Sequence, residues 1–209
     1  MLDAVTLLRT LHGLLPPAWD DALAPATPDD YGALMHAALH AAAARLELSC
    51  CCPSPDHSRD HDPHGRMPRG YTAHYPYEMT WYRAWQTWEL PAAAVVVHAG
   101  GRFDAWLQHH WLLMMAAAPL RVSCPFTARA EDQTTWCPLL RSIAEESGWP
   151  PPVSEDLVLL GHVGMGPRDH RVLYRGPEQP VWLDLGALGE AIRRLERLDA
   201  ARAELAPGS

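Results

Sequence analysis

With 209 residues, 48% of them apolar, the chain can bury the core of one α/β domain, which excludes general disorder and leaves two domains cramped. All 17 of its positive side chains are arginines, and the net charge of -8 argues against a generally basic nucleic-acid surface, while 12 histidines make that charge soft near pH 6.5. No apolar run approaches the roughly 18 residues of a membrane span, and residues 1–15 lack both a basic start and a small-residue cleavage pattern, so a soluble cytoplasmic protein is expected.

Leu2, Val5, Leu8, Leu11 and Leu15 recur at helical spacing until Pro16 and Pro17, predicting an amphipathic first helix. Thr27, Pro28, Asp29 and Asp30 mark the start of a second, because they supply a capping hydroxyl, a preset φ and carboxylates beside the positive helix end. Its buried stripe is Tyr31, Leu34, Met35, Leu39 and Leu46. Residues 46–52 read as a short strand, and the Pro, Asp, His and Gly-rich stretch 53–70 as a long irregular loop. Residues 75–88 are aromatic and extended, and the run 92–97 suits a strand covered on both faces.

From Phe103 the spacing turns helical, with Phe103, Trp106, Leu107, Trp111 and Met114 on one side and Pro119 as the stop. A strand at 120–124 and a helix at 138–147 follow. Residues 157–163 and 170–175 then form two strands around a Gly/Pro/Asp turn, with a third at 181–183. Asp184 caps a last helix carrying Leu188, Ile192, Leu195 and Leu198, with Glu190 and Arg194 at i,i+4 spacing.

Helix, strand, long loop, strand, strand, helix, strand, helix, strand is an order that resembles the PD-(D/E)xK nuclease superfamily from about residue 29 to 163. YEMTWY (77–82) looks like the family strand that ends in an acidic metal ligand, which would be Glu78. AAAVVVHAGG looks like the next strand, and FDAWLQHHWLLMMAAAPLRV like the helix and strand after it. The resemblance implies an α/β fold with a mixed central sheet flanked by helices, here with extra N-terminal and C-terminal helices. The chain then divides into a helical extension (1–26), a nuclease-like core (27–163) and a hairpin with a helix (164–209), all in one domain.

Such nucleases need two or three carboxylates to hold Mg²⁺, which prefers oxygen ligands, and usually a lysine to stabilise developing charge. Here His98 and Gly100 stand where the resemblance calls for an acidic pair, Leu112 where a helix lysine would fall, and no lysine exists anywhere. The expectation is therefore a catalytically degenerate scaffold that binds a protein or nucleic-acid partner, with no membrane association.

The alternative is a metal-dependent nuclease using Glu78, His98 and one of His109 or His110, a set that suits Mn²⁺ or Zn²⁺ better than Mg²⁺. Glu78 also fits a strand-edge acid facing solvent or Arg83, and His98 a hydrogen-bonded strand end. A further candidate is a zinc-stabilised interaction module built from Cys50, Cys52, His57, His61 and His64. Cys50 and Cys52 can share one face of a strand, and the same residues also read as buried thiols before a solvated loop. Five cysteines, three of them adjacent, do not make a disulfide framework, so free thiols in a reducing compartment are expected.

Overall fold

The computed structural model describes residues 2–18, 25, 27–52, 79–83, 91–98, 102–127, 129–146 and 153–205. Helix α1 (Ala4–Leu14) starts at Asp3, whose carboxylate accepts the Thr6 N–H at 2.8 Å. Helix α2 (Pro28–Arg45) starts at Thr27 in a reciprocal box: the Thr27 hydroxyl accepts the Asp30 N–H at 3.2 Å, and the Asp30 carboxylate accepts the Thr27 N–H at 3.0 Å. The strand expected over 46–52 contracts to β1 (Ser49–Cys51), because the Leu46 N–H closes α2 onto the Ala42 carbonyl at 3.0 Å and Glu47 turns the chain with a φ of 56°.

The remaining elements are β2 (Met79–Tyr82), β3 (Ala93–His98), α3 (Phe103–Met114), β4 (Leu120–Thr127), α4 (Ala130–Glu146), β5 (Glu155–His162), β6 (Arg171–Gly176), β7 (Gln179–Ala187) and α5 (Leu188–Leu205). Among the described residues the strands form one seven-stranded sheet in chain order. β1, β2 and β3 are an antiparallel meander; β3, β4 and β5 are parallel, joined by α3 and α4; β6 and β7 return antiparallel. This is the mixed α/β sheet with added terminal helices that the sequence implies.

Strand residues alternate between two apolar layers. Val95, Val122, Phe126 and Leu159 meet α1, α2 and α5 on one face, through Leu8, Tyr31, Met35 and Leu188. On the other, Val158, Leu160, Leu173 and Trp182 meet Trp106, Trp136 and Leu140 of α3 and α4, while Ala94 and Val96 lie under Leu113. Each large side chain buried this fully contributes about 1.5–3 kcal/mol. Gly161 in β5 makes room for the Tyr31 ring: a Cβ there would stand 2.5 Å from Cε2 of a tyrosine already stacked on Phe126 at 4.3 Å. Among the described residues no helix is long and apolar enough to cross a membrane.

Other boundaries also differ from expectation. α3 ends at Met114, well before Pro119, as the Met115 and Ala116 N–H groups tighten onto the Leu112 and Leu113 carbonyls. α4 starts at Ala130 and carries Pro138 inside it; its polar first half hid the helix, and Pro138 costs it one internal bond. β4 continues past Cys124 to Thr127. Asp184 is not the cap of α5 but a β7 residue paired with Arg171, and α5 begins at Leu188. The 53–70 loop and most of the 75–88 stretch lie outside the described residues.

Candidate functional site

β3 is buried along its length until His98, at the end from which the chain passes to α3. Parallel strands carry ligands at this carboxyl edge because the crossover loops and helix starts converge there. α3 turns its Trp106, His110 and Leu113 side toward the sheet. His109, one 100° step from His110, stays exposed and reaches the strand end instead. His98 Nδ1 and His109 Nδ1 stand 3.2 Å apart, with ring centres 5.1 Å apart and planes at 80°. Of the expected set of Glu78, His98 and one helix histidine, the structure therefore brings His98 and His109 together and sends His110 elsewhere. Glu78 lies outside the described residues.

His110 occupies a buried polar layer that crosses three strands. Arg121 of β4, Asp156 of β5 and Arg175 of β6 are direct register partners, so their side chains form a transverse row on the α3 face. Asp156 accepts Arg121 Nε at 2.6 Å through one oxygen, and Arg175 Nε and Nη2 at 3.2 and 2.9 Å through the other. The row holds the end of α3: Arg121 donates to the Met114 carbonyl and Arg175 contacts the Met114 sulfur at 3.2 Å. Trp182 lies 5.3 Å from the Arg175 guanidinium, and the Trp106 indole N–H donates to Ser123 at 2.6 Å.

His110 stacks on Trp106 at 4.9 Å and faces Trp182 at 5.6 Å. Burial, reinforced by Arg175 and then Arg121, pushes its pKa down to about 3. A neutral imidazole there adds no charge to two guanidiniums sharing one carboxylate. This layer is a structural clamp on α3, and Arg121, Asp156, Arg175 and His110 are all buried.

The thiols of Cys50, in β1, and Cys52, just past its end, do lie on one side, 3.9 Å apart, but they sit inside the core with Trp81 and Leu48. The neighbouring Cys52 thiol and burial raise the Cys50 pKa far above the ordinary thiol range, favouring the protonated form. His57, His61 and His64 lie outside the described residues. Among the described residues, no group of three or more His, Cys, Asp or Glu side chains is placed to hold a metal ion. A shallow cleft of about 350 Å³ between β7 and α5 is lined by Leu183, Leu185, Leu198, Arg194, Arg197 and Asp184.

Trp111 is 47% exposed rather than part of the buried stripe of α3, and with Leu112 at 41% and Met115 at 72% it gives the helix an apolar outer surface. His110 takes the buried place expected for Trp111. Sequence reading also missed the Arg121, Asp156 and Arg175 row, whose members come one from each of three strands and share no local spacing. No protein-family model matches the chain, and no curated protein matches it.

Proposed function

We propose that the chain is a nuclease-like α/β scaffold that works by binding a protein partner and not by cutting DNA. The element order α2, β1, β2, β3, α3, β4, α4, β5 supports the scaffold half of this reading. The observation that carries the binding half is the outer surface of α3, where Trp111, Leu112 and Met115 stand 47%, 41% and 72% exposed. Large apolar and aromatic side chains grouped on one exposed helix face are the composition of interface centres. A net charge of -8 favours a protein over a polyanion as the occupant.

The test places a photocrosslinking residue at Met115 and, as control, at Arg197 on α5 in the native host. A discrete crosslinked protein from position 115, lost on adding Trp111→Ser with an unchanged melting temperature, supports the reading. Equal labelling from both positions refutes it.

A second reading, a metal-dependent nuclease with an altered site, is favoured by the approach of His98 to His109 at 3.2 Å. Incubation with linear and circular DNA in Mg²⁺, Mn²⁺ or Zn²⁺ separates the two. Cutting that Glu78→Ala and His98→Ala both abolish would establish the nuclease.

A further inference from the structure

We infer that His98 and His109 form a two-imidazole site for a borderline divalent cation of the Zn²⁺, Co²⁺, Ni²⁺ class, bound through both Nδ1 atoms. The inference rests on the relation between two distances. With metal–nitrogen bonds of about 2.0–2.1 Å and a tetrahedral angle, two ligating imidazoles place their nitrogens about 3.3 Å apart and their ring centres about 5.2 Å apart. In this structure the values are 3.2 and 5.1 Å. A straight N–H···N hydrogen bond at the same nitrogen separation would spread the centres to about 5.5 Å, because the rings would lie end to end. The observed ring centres are closer than that end-to-end arrangement, and the ring planes stand at 80°.

The surroundings fit the same chemistry. His98 is anchored by a buried strand and His109 by a helix whose end is clamped to the sheet, so the nitrogen pair is presented by two rigid elements. Imidazole selects borderline ions over Mg²⁺, which takes oxygen. His109 is exposed, so the ion has an entry path. The site does not depend on DNA cutting. A protein that takes up the ion and leaves DNA intact keeps this inference while removing the nuclease reading.

The test is titration of the full chain with Co²⁺, followed by visible absorption, together with calorimetry using Zn²⁺. His98→Gln and His109→Gln are compared with wild type, and circular dichroism confirms that each variant is folded. The expected result is uptake of one ion, weakened at least tenfold in each variant, with weak visible bands and no intense near-ultraviolet thiolate-to-cobalt band. His109 is exposed, so His109→Gln decides the matter alone if His98→Gln does not fold. Absence of uptake, equal affinity in the variants, or a thiolate band that grows with the titration overturns the site; the last would move the ion to the cysteines.

Discussion

Lowering the pH from 7 to 5 should destabilise this protein through two buried imidazoles. His110 lies between Trp106 and Trp182 on the α3 side of the sheet, facing Arg175, Arg121 and Asp156. His170 lies on the opposite side beside Tyr31, donating its Nδ1–H to the Pro167 carbonyl at 3.0 Å, with Asp169 and His162 nearby. Burial, together with the two arginines, pushes the first pKa down to about 3. Burial, aided by His162 and opposed by the Pro167 carbonyl and Asp169, pushes the second down to about 4. In the unfolded chain both return to about 6.5.

Between those limits the unfolded state binds protons that the folded state refuses, so stability falls as the pH falls. At pH 5 each histidine costs about 2 kcal/mol, and the pair about 4 kcal/mol, a large share of the 5–15 kcal/mol that holds a typical domain together. Urea unfolding at pH 7, 6 and 5, followed by circular dichroism and tryptophan fluorescence, measures the slope. His110→Phe keeps an aromatic ring between the two tryptophans and removes the titration, so it should cut the slope roughly in half whatever it does to absolute stability. A wild-type stability that is flat from pH 7 to 5, or an unchanged slope in His110→Phe, would refute the linkage.

Glu155 acts with the opposite sign. Burial raises its pKa despite the Ala4 N–H at 2.8 Å and the Tyr174 hydroxyl at 3.0 Å, so it gains relative stability on the acid side, and Glu155→Gln should steepen the acid loss in the same urea series. Asp156→Asn leaves two buried guanidiniums without their carboxylate and should cost about 3–5 kcal/mol by denaturant unfolding. Arg175→Met keeps the Arg121 pair and removes the surplus positive charge, so it should cost less; the reverse order would show that the row is not held by charge. Gly161→Ala drives a methyl group into the Tyr31 ring and should lower stability by about 1–3 kcal/mol, read from the same midpoints.

The elements that were legible from the sequence are those whose signals are local. Thr27, Pro28 and Asp30 specify a helix start by their own hydrogen-bonding and φ preferences, and the reciprocal bonds between Thr27 and Asp30 carry that out. The continuous apolar run 92–97 suits a strand covered on both faces, and it is buried throughout. What was not legible depends on register. Arg121, Asp156 and Arg175 are separated by 35 and 19 residues, and only the alignment of three adjacent strands places them side by side. The α3 stripe failed for a related reason. Helical spacing allows a buried side through residue 110 or 111, and hydrophobicity favours the tryptophan. The stacking surface of Trp106 and the neighbouring Trp182 decide for the histidine.

That choice sets the character of α3 as a whole. With His110 turned inward, the residues on either side of it are turned to other uses: His109 reaches the end of β3, and Trp111 stands on the outer surface with Leu112 and Met115. The same helix is held at its last turn by Arg121 through the Met114 carbonyl and by Arg175 through the Met114 sulfur. An apolar surface on a helix fixed in this way is already ordered before a partner arrives, so docking there loses little conformational freedom. On the proposed reading, the buried charged row is thus tied to binding through α3. Disrupting the row by Asp156→Asn should loosen the helix and weaken partner crosslinking at Met115, even under conditions where the sheet remains folded.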